Sequence, residues 1–207
     1  MENEFLKRWN DVYGNEAYAY GQNPNEFLKE QLANLSPGKI LFPAEGEGRN
    51  GVYAAELGWE VSAFDISEKG KNKALNLAKA KQVEMDYRVG ELAELGFAPA
   101  SFDAIALIYA HFPPEIKSAY HQALGKLLKK GGIIIFEAFS KSHLKYRAEN
   151  PKVGGPGQID FLASMAEIKA DFSDFEIIEL EEKVVELSEG LYHNGKGAVI
   201  RFVGRKK

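Results

Sequence analysis

The chain has 207 residues, 45% of them hydrophobic and 12% aromatic, enough to bury a full core, and it reads as a single domain over residues 1–207. Its 26 basic and 30 acidic side chains leave a net charge of -4, so no broad positive field invites a nucleic-acid backbone. Without cysteine, the chain has no disulfide, thiolate metal site or catalytic thiol. The opening MENEFLKRWNDVYGNEAYAY carries no apolar leader, and no later stretch approaches the roughly 20 apolar residues of a membrane span. The expectation is a soluble, cytoplasmic protein with no metal, no nucleic-acid partner and no membrane; the oligomeric state is open.

Residues 1–35 read as a helical cap segment, with helices around EFLKRWNDVY and NEFLKEQLANL joined by the aromatic, turn-prone GNEAYAYGQNP. Residues 36–207 read as an α/β core. Short apolar runs at 39–42 (KILF), 60–65 (EVSAFD), 85–89 (MDYRV), 102–109 (FDAIALIY) and 132–139 (GIIIFEAF) alternate with amphipathic stretches at 50–57, 68–81 and 113–130. Ser67 is placed to cap the second of those helices; Pro113 or Pro114 suits the first turn of the third, and Gly131-Gly132 its stop. The loop NPKVGGPGQ (150–158) reads as part of a site, and a further helix follows in FLASMAEIKADF. FEIIELEEKVVEL and GKGAVIRFVGRK, separated by SEGLYHNG, should pair as an antiparallel hairpin, with Tyr192 and His193 at its surface tip. The fold class is therefore α/β, with parallel strands, crossover helices and a C-terminal antiparallel hairpin.

Between the first strand and helix, AEGEGRNG places glycines at Gly46, Gly48 and Gly51 with Glu45 and Glu47 among them. Such a loop lets backbone approach a ligand, and the helix N-terminus after it favours negative charge, as a dinucleotide pyrophosphate exploits. Two acids would crowd that dianion, and Arg49 offsets only one of them. The loop suits a ligand that brings positive charge, such as S-adenosylmethionine with its ammonium and sulfonium. Asp65, at the end of the second strand and 17 residues past Gly48, stands where a ribose-binding acid belongs, although NAD needs the same contact. A tight turn with no ligand is the plain alternative for the three glycines.

LFPAEGEGRNGVYAAELGWEVSAFDIS, followed by VGELAELGFAPASFDAI, resembles the class I S-adenosylmethionine-dependent methyltransferases, most closely the small branch that includes the thiopurine and tellurite-resistance methyltransferases. The resemblance runs from about RWNDVYGNEAYAYGQNPNEFL to GIIIFEAF. It implies a Rossmann-like seven-stranded sheet, six strands parallel and the last antiparallel, with helices on both faces. It implies cofactor contacts from Glu45, Gly46, Gly48, Arg49 and Asn50 in GEGRN and its flank, and from Asp65 and Ile66 in AFDIS. Glu91 would meet the adenine amino group and Leu92 pack the ring, while Tyr20 and Gly21 would close over the methionine end. Phe42 stands where many relatives carry an acid. For Glu91 the alternative is an exposed loop acid; for Tyr20 and Gly21 it is simple packing of helix on sheet.

Ile108, Tyr109 and Ala110 end the fourth strand, at the edge where open α/β sheets hold ligands, although Ile108 also suits plain core. His111 is the candidate general base, or a pocket-lining or helix-capping residue, because displacement on a sulfonium needs alignment before it needs a base. His143, Tyr146 and Arg147 are candidates for recognising an acceptor, or parts of a solvated loop. The function these features imply is methyl transfer from S-adenosylmethionine to a small-molecule acceptor. The alternatives are an NAD-dependent oxidoreductase and a non-catalytic S-adenosylmethionine-binding module.

Overall fold

The computed structural model describes residues 4–207. Two helices come first, α1 (Glu4–Tyr13) and α2 (Glu26–Leu32). Strands β1 (Lys39–Pro43), β2 (Glu60–Asp65), β3 (Asp86–Val89), β4 (Phe102–Ile108) and β5 (Leu128–Phe139) then alternate with helices α3 (Arg49–Glu56), α4 (Glu68–Ala80) and α5 (Pro114–Leu127). Helices α6 (His143–Glu149) and α7 (Met165–Asp171) lead into the long strands β6 (Phe175–Glu189) and β7 (His193–Lys206). The Ser67 hydroxyl caps α4 by accepting from the Gly70 amide, and Ala74, Leu77 and Ala78 then bury one face of that helix at i, i+3 and i+4 spacing. One boundary differs from expectation. Helix α5 ends at Leu127 rather than at the glycine pair, because Leu128 already pairs with Phe102 and Gly131, at φ 80°, lies within an irregularity of β5.

The seven strands lie in the order β3-β2-β1-β4-β5-β7-β6. The pairs among β1 to β5 are parallel, whereas β7 is antiparallel to both β5 and β6, which leaves six strands in one direction and one against it. Parallel strands are covered on both faces, so successive residues of β1 enter different cores. Ile40 and Phe42 pack with Phe27, Leu28 and Leu32 of α2 and Ala54 of α3. Leu41 packs on the opposite side with Leu124 of α5 and Phe172 after α7. Phe42 is thus a buried core residue.

The strand order reverses between β1 and β4, which opens a crevice at their carboxyl ends. The residues that leave these two strands are both strained. Ala44, at φ 51°, and Tyr109, at φ 53°, are non-glycine residues in the left-handed region. At the same edge the tip of the β6–β7 hairpin folds onto the N-terminal segment, where the Leu191 amide donates to the Ala19 carbonyl at 2.8 Å. A Cβ on Gly190 would lie 2.3 Å from the Gly21 nitrogen, so only glycine permits this approach. No helix among the described residues is long and apolar enough to cross a membrane.

Candidate functional site

A cavity of about 560 Å³ fills the crevice, within the range of small-molecule sites. Its floor is the loop after β1. The Gly46 amide donates to Asp65 Oδ2 at 3.1 Å, and the Gly46 carbonyl accepts from the Tyr87 hydroxyl at 2.7 Å. A Cβ on Gly46 would come within 2.6 Å of the Tyr13 hydroxyl, so the glycine is a steric requirement of the α1 contact. Asp65 also accepts from the Ser67 amide at 2.9 Å, and burial pushes its carboxyl up to about 6 against those amide bonds.

The two acids of the loop have separate tasks. Glu45 Oε1 accepts from the Asn50 and Gly51 amides at 2.9 and 2.7 Å, occupying the first turn of α3 that a pyrophosphate would otherwise use. Burial raises its carboxyl to about 7, opposed by the Gly51 amide and Arg49. Glu47 is turned away from this role: it accepts from the Ala19 amide at 2.7 Å and pairs with Lys73 at 2.6 Å, fastening the N-terminal segment to α4. Of the two, Glu47 has a cationic partner in Lys73, whereas Glu45 is held by amide hydrogen bonds.

Tyr20, Gly21, Glu45, Gly46, Arg49, Asn50, Asp65, Ile66, Glu91, Ile108 and His111 line this one cavity. Gly48 and Leu92 do not. Gly48 faces α4, where its Cβ would meet that of Ala74 at 2.5 Å, and Leu92 packs against the core on the α5 side while its amide donates to the Tyr120 hydroxyl. Glu91 accepts a hydrogen bond from the same Tyr120 hydroxyl. Arg49 and Asn50 are held by protein partners: Arg49 by Glu189 at 3.0 Å, and Asn50 Oδ1 by the Asn25 amide at 2.9 Å.

The far wall is aromatic. Tyr109, Phe112, Phe139 and Phe161 line it, Gly155 to Gln158 of the expected site loop border it, and Phe5, Trp9 and Tyr13 of α1 cover it. The α1 contribution was readable as an i, i+4, i+8 aromatic stripe. His111 does not cap α5. Its Nδ1 lies 3.2 Å from the Phe161 carbonyl, its ring stacks on Phe139, and burial lowers its imidazole to about 3. His143 is buried and structural, with Nε2 at 3.1 Å from the Gly154 carbonyl and the Ala198 amide donating to Nδ1. Arg147 binds the Gly155 carbonyl and so shapes the site loop.

His193 contradicts the surface placement expected for it. Tyr192 is exposed, but His193 is 3% exposed and lines the cavity, its ring 4.5 Å from that of Tyr20 and 4.6 Å from that of Tyr109. It is drawn inward by Glu189, whose carboxylate accepts from Nδ1 at 2.8 Å and also pairs with Arg49. Asn25 extends the network, donating to Glu189 at 3.2 Å and to Glu137 at 2.7 Å, and Glu137 in turn pairs with Arg201. Burial would raise Glu189, yet the His193 bond and the Arg49 charge carry it down to about 2.

Residues 40–132 match the family described as methyltransferase domain. A Geobacillus sp. (strain WCH70) protein named as an inferred methyltransferase is 28% identical over 147 residues, 68% of this chain; the chain spans 58% of that relative's length. Among solved structures, TehB from Haemophilus influenzae superposes with a TM-score of 0.72 at 18% identity, over 98% of this chain and 67% of that one. Magnesium protoporphyrin IX methyltransferase from Synechocystis PCC 6803, solved with bound S-adenosylhomocysteine, gives 0.68 at 18% identity over 99% and 95%. A Methanosarcina mazei S-adenosylmethionine-dependent methyltransferase gives 0.64 at 18% over 85% and 96%. At these identities the superpositions speak for the fold, and the family match speaks for the domain. Residues 40–132 thus match a methyltransferase-domain family, and the chain has the fold of the class I S-adenosylmethionine-dependent methyltransferases.

Proposed function

We propose that this protein transfers the methyl group of S-adenosylmethionine to a small-molecule acceptor. The observation that carries the choice of cofactor is Glu45, whose carboxylate caps the first turn of α3 and fills the seat of a dinucleotide pyrophosphate. The residues present fit the adenosyl cofactor. Asp65 is buried with its charge facing the cavity, where ribose hydroxyls would compensate it; Glu91 borders the outer end for the adenine; and Glu45 supplies the negative charge that an ammonium seeks. Tyr20 and Gly21 would close the methionine end, with the Gly46 backbone beneath it. The bound cofactor would supply an electrophilic methyl group on a sulfonium.

The chain's own share is alignment and exclusion of water. The aromatic wall of Tyr109, Phe112, Phe139 and Phe161 offers an apolar seat for an acceptor, and α1 covers it, which suits a displacement whose barrier is mostly orientation and desolvation. A small acceptor fits the enclosed volume better than a macromolecular one does. Calorimetry with S-adenosylhomocysteine and NAD is the deciding experiment. Micromolar binding of the adenosyl ligand, about -8 kcal/mol, with none for NAD is expected; the reverse preference would end this reading.

A further inference from the structure

Two imidazoles line the cavity beside Phe139, His111 stacked on its ring and His193 perpendicular to it, and they are wired differently. His111 directs Nδ1 at a backbone carbonyl, and no carboxylate touches it. His193 directs Nδ1 at the Glu189 carboxylate, which is itself fixed by Arg49 at the start of the glycine-loop helix. A carboxylate can only accept, so the Nδ1 proton of His193 is committed to Glu189 and Nε2 carries the lone pair. The His193 ring lines the cavity; so does that of His111, whose buried Nε2 is the one without a hydrogen-bond partner among the described residues.

We propose that His193 is the group that receives the acceptor's proton, with Glu189 as its positioning residue, so that the acceptor is a protic nucleophile presented with its X–H bond intact. This rests on the methyl-transfer reading above. The acceptor atom forms its bond to the methyl carbon as the carbon–sulfur bond breaks and that electron pair remains on sulfur; the electrons of the X–H bond stay on the acceptor atom and its proton passes to Nε2. The resulting imidazolium faces Glu189 at 2.8 Å, which stabilises it; a protonated His111 would face only a carbonyl dipole. The titratable groups around His193 are Glu189, Arg49, Glu137, Tyr20, Tyr109, His111 and His143; burial lowers its imidazole, Glu189 and Glu137 favour the imidazolium against that, and Arg49 opposes it.

His193→Asn is the informative variant, because the amide nitrogen of asparagine overlays Nδ1 and keeps the bond to Glu189 while Nε2 disappears. Turnover would be followed over a series of phenols and thiols of graded acidity. For the least acidic members, kcat/KM should fall about a hundredfold, and for those already ionised it should fall less than about threefold. The Kd of S-adenosylhomocysteine should stay within about twofold. Glu189→Gln should move the acidic limb of the pH–rate profile to lower pH, since the imidazolium loses its counter-charge. Independently of any acceptor, 15N NMR of the labelled imidazoles should show His193 protonated at Nδ1 and bare at Nε2 near neutral pH. Unchanged rates and pH profile in His193→Asn, or an Nε2–H tautomer, would overturn the assignment and leave the methyl-transfer reading standing. A wild-type protein that binds no S-adenosylhomocysteine removes that reading and this inference with it.

Discussion

The glycine loop after β1 and the tip of the β6–β7 hairpin border the same cavity, yet the chain encodes them in opposite ways. The loop is built from bonds across short stretches: Glu45 to the amides five and six residues on, and Gly46 to Asp65 nineteen residues away. The hairpin tip is fixed by bonds from Arg49 and Asn25 to Glu189, at separations of 140 and 164 residues. The loop's chemistry is a property of one strand-turn-helix-strand unit, whereas the tip acquires its role only when the sheet is complete. A site half can be polar, buried and chemically poised without any local pattern announcing it.

The sharpest way to break the comparison is to remove the long-range anchor. Glu189→Ala leaves Arg49 and His193 buried without their counter-charge, and breaking a buried pair by deleting one partner costs about 3–5 kcal/mol. Urea unfolding should show that loss. A change below about 1 kcal/mol would mean that the tip sits on the N-terminal segment without depending on the ion pair.

A smaller effect is expected at the loop. Asp65→Ala should weaken S-adenosylhomocysteine binding by roughly 1.5–3 kcal/mol, the range for hydrogen bonds to a charged group. Calorimetry would measure it, with circular dichroism checking that the fold persists. Its stability should change less than its affinity, because the variant also relieves a buried carboxyl whose ionised form burial disfavours. Equal affinity for variant and wild type would remove Asp65 from the ribose contact.

The contrast also explains what could be read in the sequence. The alternation of apolar runs with amphipathic stretches gave the sheet and its helices, because each parallel strand is buried on both faces and each helix on one. The antiparallel hairpin followed from the alternating pattern around SEGLYHNG. That Glu45, Gly46 and Asp65 share one cavity was legible because they sit close together on one strand-turn-helix-strand unit. His193 was missed because a histidine in a turn carries no signal of burial; its environment comes from Tyr20, Tyr109 and Glu189, which are distant in sequence or ambiguous in role. Gly48 stands apart from these, outside the cavity lining. It belongs to the motif, but its closeness to Ala74 makes it a packing requirement between α3 and α4.

The smallest of these effects separates the two acids that share the loop. Glu47 is paired with Lys73 and the Ala19 amide, so a cation arriving in the cavity changes little for it. Glu45, raised to about 7 by burial, is about half protonated near neutral pH in the free protein. A ligand ammonium favours the ionised form, so below that pH binding must first expel a proton and affinity falls; above it the site is already charged and affinity levels off. Between about pH 6 and pH 8 the affinity for S-adenosylhomocysteine should rise roughly tenfold, about 1.4 kcal/mol. Asp65, at about 6, adds in the same direction at the lower end. Glu45→Gln keeps an acceptor for the Asn50 and Gly51 amides but cannot ionise, so it should flatten the upper part of the curve, while Glu47→Gln should not. Calorimetry in two buffers of different ionisation enthalpy would count the proton released. If the slope survives in Glu45→Gln, Glu45 serves only to close the first turn of α3, and the charge that receives the ligand lies elsewhere in the cavity.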